Sequence, residues 1–365
     1  MYSAKQFVIK TLPTPGLPFN FDSTDSKATF ELKTLELKES DLKEGEVLIE
    51  SLLLSNDPAQ KFWISSVDKN YAAGVQVGEI IPARGIAKIL ASKNGEFKAG
   101  DYVTGTIGWT TYAIIHDTKK AFLRKVSKEQ VGDLSWHLSA LGGTSLTAYF
   151  IFYHYAQFEE NEKFNGKTIL ISGAAGAVGI VCIQIALHVF KAKKVIATAG
   201  GPEKIRYVEE FDPSRVVGVD YKDSNFKENL IKAAGGPNTV DLFIDNVGGD
   251  VLEIGTELLK PHSTLIVCGS ISGYNDPSKL IYKSFVSVLT KRLTIKGVLL
   301  GDNIADFGKG LTKLSQMIEA GQLDISKAET LVDCTGEKFA DVPNVWNGLF
   351  SGTNKGKLIS KVNEY

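Results

Sequence analysis

Three glycines spaced three apart, Gly173, Gly176 and Gly179, sit in the stretch KTILISGAAGAVGIVCIQIAL between Lys167 and Leu187. They separate a short apolar, β-branched run from a segment whose Ile180, Val181, Ile183, Gln184 and Leu187 suit a helix packed on a sheet. A glycine turn between strand and helix can cradle a pyrophosphate. Bare backbone approaches the ligand closely, and the helix N-terminus adds free N–H groups and the positive end of a dipole. A strict G-x-G-x-x-G would need glycine at Ala174, so a tight structural turn is the competing reading.

A dinucleotide site usually has Asp or Glu about 20 residues beyond the turn, where it binds the ribose 2′-OH. Here the segment KVIATAGG ends at Gly201 without an acid, and Lys204 follows. An ammonium attracts a 2′-phosphate that a carboxylate would repel, which favours NADPH over NADH; a solvated lysine in the next helix is the plain alternative. Two further stretches follow expected strand ends, where open α/β sheets hold their ligands. They are Asp245-Asn-Val-Gly-Gly249 and Cys268-Gly-Ser-Ile-Ser-Gly-Tyr-Asn275. Asn246 and Tyr274 can hydrogen-bond to a ligand there, or serve as a helix cap and a turn residue.

Other chemistries fit less well. The five histidines form no H-x-x-x-H pair, and no cysteine precedes Cys182, so no thiolate zinc site and no metal ligands are assigned. There is no Tyr-x-x-x-Lys pair and no G-x-S-x-G elbow.

The elements that must hold these residues follow from the pattern. Residues 1–132 read as short extended segments, among them 47–55, 84–91, 101–108 and 110–116, separated by turn residues. An apolar, helical texture begins near Leu134. Strand patterns at 168–172, 194–198, 215–219, 240–246, 264–269 and 293–299 then alternate with helical ones near 177–191, 202–211, 225–234, 249–259 and 276–290. Repeated βα units predict an α/β fold with a doubly wound parallel Rossmann sheet over 133–320. The tail, 321–365, returns to short elements, and a closing strand there can rejoin the first domain.

At 365 residues, 43% hydrophobic, 23% charged and net charge −1, the composition is that of a soluble globular protein with no attraction for nucleic acid. No apolar run approaches the roughly 18 residues needed to span a membrane, and the first residues lack a secretory core. Three widely spaced cysteines suit a reducing compartment, which gives the cytoplasm as the expected location.

Taken together the segments resemble the zinc-independent medium-chain dehydrogenase/reductases. The likeness is to the leukotriene B4 dehydrogenase/prostaglandin reductase and alkenal double-bond reductase group, with its fungal and bacterial members. It is carried by Leu54-Ser-Asn-Asp-Pro58, Gly108-Trp-Thr-Thr-Tyr112, Leu141-Gly-Gly-Thr-Ser-Leu-Thr-Ala-Tyr149, Ser172-Gly-Ala-Ala-Gly-Ala-Val-Gly179, the two loops above and Gly352-Thr-Asn-Lys-Gly356. The resemblance implies a β-rich GroES-like domain, built from 1–132 and 321–365, with the Rossmann domain inserted in it.

It also implies NADPH. Gly176, Ala177, Val178 and Gly179 would contact the pyrophosphate, and Lys204 and Tyr221 the 2′-phosphate end. Asn246, Cys268, Gly269, Ser270, Ile271, Ser272, Val298, Leu299, Leu300 and Asn354 would line the rest. The implied reaction is reduction of the C=C bond of an α,β-unsaturated aldehyde or ketone, with Tyr274 as candidate proton donor or charge stabiliser. An NADPH:quinone oxidoreductase and a low-turnover NADPH-binding protein are the alternatives. Where many members read D-P-Y-M-R, this chain has Asp57-Pro-Ala-Gln-Lys61, which leaves the substrate open. The segment LTIKGVLL falls at the expected sheet edge. Self-pairing and loop cover both close such an edge, and the resemblance favours a homodimer.

Overall fold

The computed structural model describes residues 1–64, 74–129, 132–157 and 166–365, and its backbone divides into two units. The first is Met1–Leu138 with Thr330–Tyr365, the second Ser139–Glu329. In the first, β1 (Tyr2–Ile9) pairs antiparallel with β2 (Phe30–Leu37). The buried run VLIESLLLSN forms β3 (Val47–Asn56), followed by the short α1 (Gln60–Ile64), β4 (Arg84–Ser92), β5 (Tyr102–Thr106), β6 (Tyr112–Ile115) and β7 (Arg124–Val126). Strand β3 pairs antiparallel with both β4 and β6.

The second unit begins with α2 (Gly143–Phe150), continued by one π-helical turn to Tyr155. Then βα units follow one another: β8 (Thr168–Ile171), α3 (Ala177–Gln184), β9 (Lys194–Ala199), α4 (Pro202–Glu209), β10 (Val216–Asp220), α5 (Phe226–Ala234), β11 (Val240–Asp245), α6 (Gly249–Leu258) and β12 (Leu259–Val267). After them come α7 (Phe285–Lys291), β13 (Thr294–Gly297) and α8 (Phe307–Glu319). Among the described residues these strands form one parallel sheet in the order β10-β9-β8-β11-β12-β13. That is the doubly wound order, with the reversal between β8 and β11. The central strands read as continuous apolar runs because both faces are covered. Leu170, Ile196, Phe243 and Leu265 of the sheet pack with Leu230 of α5 and with Val251 and Leu258 of α6.

The tail completes the first unit with β14 (Glu329–Asp333), α9 (Val342–Ser351) and β15 (Lys357–Lys361). β15 pairs antiparallel with β3. Trp346 of α9 is buried among Phe19, Phe21 and Trp109, and its indole N–H donates to Asp57 O at 2.9 Å. Lys357 of β15, 3% exposed at its side chain, forms an ion pair with Asp57. Burial works to raise the Asp57 carboxyl, but the Lys357 ammonium and the Ser55 hydroxyl hold it below the usual range.

The structure corrects the sequence reading in three places. Residues 276–290 are not one helix: a 3₁₀ turn at Pro277–Leu280 and a break separate them from α7. The break is pinned by Glu253, which accepts from Ser284 N at 2.8 Å, a contact from another helix that local pattern does not contain. Strands β1 and β2 lie in the extended 1–132 region but outside the segments singled out there, because β2 is mostly exposed and draws its order from pairing with β1. The amphipathic α8 also lies outside the helices read from the pattern.

Candidate functional site

Three loops leave the C-terminal ends of β8, β11 and β12, and each contains glycine where the backbone needs it. In the first, Gly173 takes a left-handed φ of 59° and supplies the turn. Ala174, where a strict motif would have glycine, is fully buried and donates its N–H to Thr198 O at 2.9 Å. The turn residue has moved one place earlier. A Cβ on Gly179 would lie 2.6 Å from Ala174 Cα and Gly173 O, so only glycine lets α3 pack this closely on its own loop. Gly176 is the N-cap residue and no side chain caps α3, which leaves the first N–H groups of Ala177, Val178 and Gly179 for an anionic ligand.

The second loop is fastened to the first. Ser172 Oγ donates to Asp245 Oδ1 at 2.5 Å and accepts from Asn246 N at 2.8 Å. Asn246 Nδ2 donates to Ser172 O at 2.7 Å. Asp245 also accepts from Val247 N at 3.1 Å and Gly248 N at 2.9 Å, and burial pushes its carboxyl up to about 6. Its backbone carbonyl accepts from Cys268 N at 2.8 Å and Gly269 N at 3.2 Å, which brings in the third loop. Ser272 closes the triangle through Oγ to Val247 O at 2.6 Å. Burial, reinforced by Asp245, pushes the Cys268 thiol up to about 12, so it stays protonated.

The structure brings Gly176, Ala177, Val178, Gly179, Asn246, Cys268, Gly269, Ser270, Ile271 and Ser272 to this end of the sheet. Tyr274 stands at the end of the third loop, where its hydroxyl oxygen takes a long contact of 3.5 Å from Ser270 N. Val298 continues from β13, with its N–H on Val267 O at 3.0 Å. Leu299 and Leu300 follow it, and Leu300 Cδ2 would stand 3.1 Å from a Cβ placed on Gly143. Lys204 lies in the first turn of α4. Tyr221 lays its ring against Gly200, where a Cβ would meet ring atoms at 2.8 Å. Asn354 belongs to the first unit, where its amide donates to Gly356 O at 2.7 Å.

Sequence reasoning missed Asp220. The β9 end carries no acid, but Asp220 at the end of neighbouring β10 accepts from Gly201 N at 2.8 Å and Lys222 N at 2.9 Å. A carboxylate from another strand thus stands by Gly201, besides Glu203 in the first turn of α4. In the first unit, Gln60 and Lys61 of the divergent Asp57-Pro-Ala-Gln-Lys61 segment are buried. Gln60 bonds to Asp57 N and Pro82 O, while Lys61 donates to Leu17 O and stands 3.7 Å from the Phe19 ring centroid. Burial lowers the Lys61 ammonium to about 8.

Comparison with known proteins gives a consistent result. Residues 17–123 match the family described as the N-terminal domain of oxidoreductase, and residues 177–316 the family described as zinc-binding dehydrogenase. The chain is 63% identical over 363 residues to an uncharacterized membrane protein of Saccharomyces cerevisiae, covering 100% of this chain and 99% of that one. Among the described residues no helix is long and apolar enough to cross a membrane. A tobacco (Nicotiana tabacum) NADP(+)-dependent 2-alkenal reductase is 29% identical, with 99% and 98% covered. The crystal structure of Vibrio vulnificus CurA in complex with NADPH superposes with a TM-score of 0.83 at 27% identity, covering 99% of this chain and all of that one.

The close approach at Gly179 generates one expectation. Gly179→Ala should displace the glycine loop, cost about 1–3 kcal/mol by overpacking, and lower the thermal unfolding midpoint in calorimetry. An unchanged midpoint would show that the loop absorbs a methyl group there.

Proposed function

We propose a reaction from the premise that this chain belongs to the medium-chain dehydrogenase/reductase family, in its prostaglandin reductase and alkenal reductase group, and is an NADP-dependent oxidoreductase. Its 32% identity to bovine (Bos taurus) prostaglandin reductase 1, with 99% of this chain and 100% of that one covered, supports the premise. The proposed reaction is reduction of the C=C bond of an α,β-unsaturated aldehyde or ketone. The single observation that supports the cofactor half of this reading most directly is the uncapped N-terminus of α3 over a turn that only Gly179 permits. A cradle of that shape, with no side chain in it, fits a pyrophosphate. The tobacco relative supplies the substrate class, because a 2-alkenal is a conjugated aldehyde.

When bound, NADPH would supply a hydride to the substrate's β-carbon; negative charge would develop on the carbonyl oxygen, and the resulting enolate would take a proton from solvent at its α-carbon to give the saturated carbonyl and NADP+. The chain's residues do the rest. Backbone N–H groups of Ala177, Val178 and Gly179 hold the pyrophosphate, and Asn246 with the 268–272 loop shapes the remainder of the cofactor site. Lys204 and Tyr221 would receive the 2′-phosphate. Tyr274 Oη donates toward the oxygen that gains charge. Such a donor lowers the barrier because the charge is present only near the transition state, and a phenol is a donor at neutral pH. No metal takes part, a reading that rests on the donor set: no cysteine precedes Cys182 and no histidine pair has ligand spacing.

We place the protein in the cytoplasm on its free cysteines, Cys182 and Cys334 buried and Cys268 half-buried. The working form is a homodimer. Strand β13 ends the sheet order, and Phe285, Val286 and Leu289 of α7 are 72%, 69% and 75% exposed, with Ile281 and Ile295 exposed beside them in sequence. Monomers seldom leave so many large apolar side chains in water, and an unpaired edge strand invites a second copy.

The deciding assay follows NADPH and NADH consumption over a panel of enones, 2-alkenals and quinones, with each product identified. A saturated carbonyl product supports the proposal, and a hydroquinone product transfers the enzyme to the quinone class. In the same assay Lys204→Ala should raise KM for NADPH about tenfold, a loss of about 1.4 kcal/mol, and leave NADH unchanged; equal loss with both removes Lys204 from the 2′-phosphate. Tyr274→Phe should lower kcat about a hundredfold with NADPH affinity retained, whereas wild-type kcat would move the hydrogen-bond donor elsewhere. For the dimer, Phe285→Glu with Leu289→Glu should convert a dimeric sedimentation mass to a monomeric one. A wild-type monomer at micromolar concentration ends that idea.

A further inference from the structure

We propose that Asp245 is a positioning residue whose ionised carboxylate ties the first two cofactor loops together, beside a backbone carbonyl that ties the third, and makes cofactor affinity depend on pH. The proposal rests on the reading that these loops hold NADPH.

The case is geometric. Asp245 is fully buried and meets all three loops through five hydrogen bonds. Oδ1 accepts from Ser172 Oγ at 2.5 Å and from Val247 N at 3.1 Å, and Oδ2 accepts from Gly248 N at 2.9 Å. The backbone carbonyl accepts from Cys268 N and Gly269 N. Ser172 extends the reach: the hydroxyl that donates to Asp245 also accepts from Asn246 N, so its orientation is set from both sides. Both carboxylate oxygens are thus occupied by donors. Oδ1 is filled by two donors and Oδ2 holds one, so a proton displaces a bond at Oδ1, and at Oδ2 it removes the charge that strengthens all three.

The titratable group facing the carboxylate is Cys268, with Cys182 of α3 beyond it; burial keeps both thiols protonated, and among the described residues no cation pairs with Asp245. Burial raises the Asp245 carboxyl to about 6, so the proton arrives in mildly acidic solution. Above that value the hub is ionised and closed. Below it the hub carries a proton, its charge-assisted ties weaken, and cofactor affinity falls. By linkage, cofactor binding near pH 6 releases a proton.

The test is the NADPH dissociation constant, by fluorescence titration, for wild type, Asp245→Asn, Ser172→Ala and Ser172→Thr between about pH 5 and pH 8. The 2′-phosphate titrates near the same pH, so the readout is the ratio of variant to wild type, in which the cofactor's own protonation cancels. At pH 8 Asp245→Asn and Ser172→Ala should bind about fivefold more weakly, the worth of one lost hydrogen bond, and Ser172→Thr should bind as wild type does. The Asp245→Asn ratio should then shrink toward one as pH falls through 6, because the wild type loses the same charge. A ratio constant across that range, or Ser172→Ala binding at wild-type strength, overturns the proposal while leaving NADPH in its place. Failure of the wild type to bind NADPH at pH 8 overturns the cofactor reading and this proposal with it. If Asp245→Asn does not fold, the Ser172 pair decides by the same pH comparison.

Discussion

The pairing of β8 with β11 is the constraint from which the site follows. These two strands lie side by side, yet the chain leaves them in opposite directions, to β9 on one flank and to β12 on the other. A sheet whose order reverses there must open a crevice beyond its strand ends, since no helix can cover both departing loops. The same reversal exposes backbone that the sheet no longer pairs. Ser172 and Asn246, from the two flanks, satisfy one another across that gap. The position of the crevice is therefore topological, while its shape is a matter of side-chain hydrogen bonds.

The first unit solves a different problem. Its aromatic core draws on residues far apart in sequence, with Phe7 and Phe30 from the first strands, Trp109 from a loop and Trp346 from the tail. The Asp57–Lys357 pair belongs to the same join between the two chain segments. A buried ion pair is weak evidence for stability, because desolvating two charges consumes most of what their attraction returns. Its effect here is on register: a slip of β15 against β3 by one residue would turn Lys357 away from Asp57 and leave a carboxylate buried without its cation.

Much of the Rossmann unit was legible because its signals are local. Apolar runs, glycine turns and amphipathic helices each lie within a window of about a dozen residues, and strands from 168 to 245 begin and end within a residue or two of the pattern. What could not be read depends on contact. The break before α7 is set by Glu253 on α6, and β2 is a strand because β1 lies beside it. The same holds in the site. The glycine turn and the two small-residue loops stand out as motifs, but Asp220 approaches Gly201 from a different strand. Asp245 was visible only as the first letter of a loop, while its five bonds join residues up to 73 positions apart.

The ring of Tyr221 resting on Gly200 has a consequence for how this site can change over generations. Any side chain at 200 would occupy space the ring already fills, since even a methyl group would overlap it at 2.8 Å. Tyr221 is 43% exposed, however, so its ring can swing into solvent, and a new side chain at 200 would cost that ring contact and not the backbone.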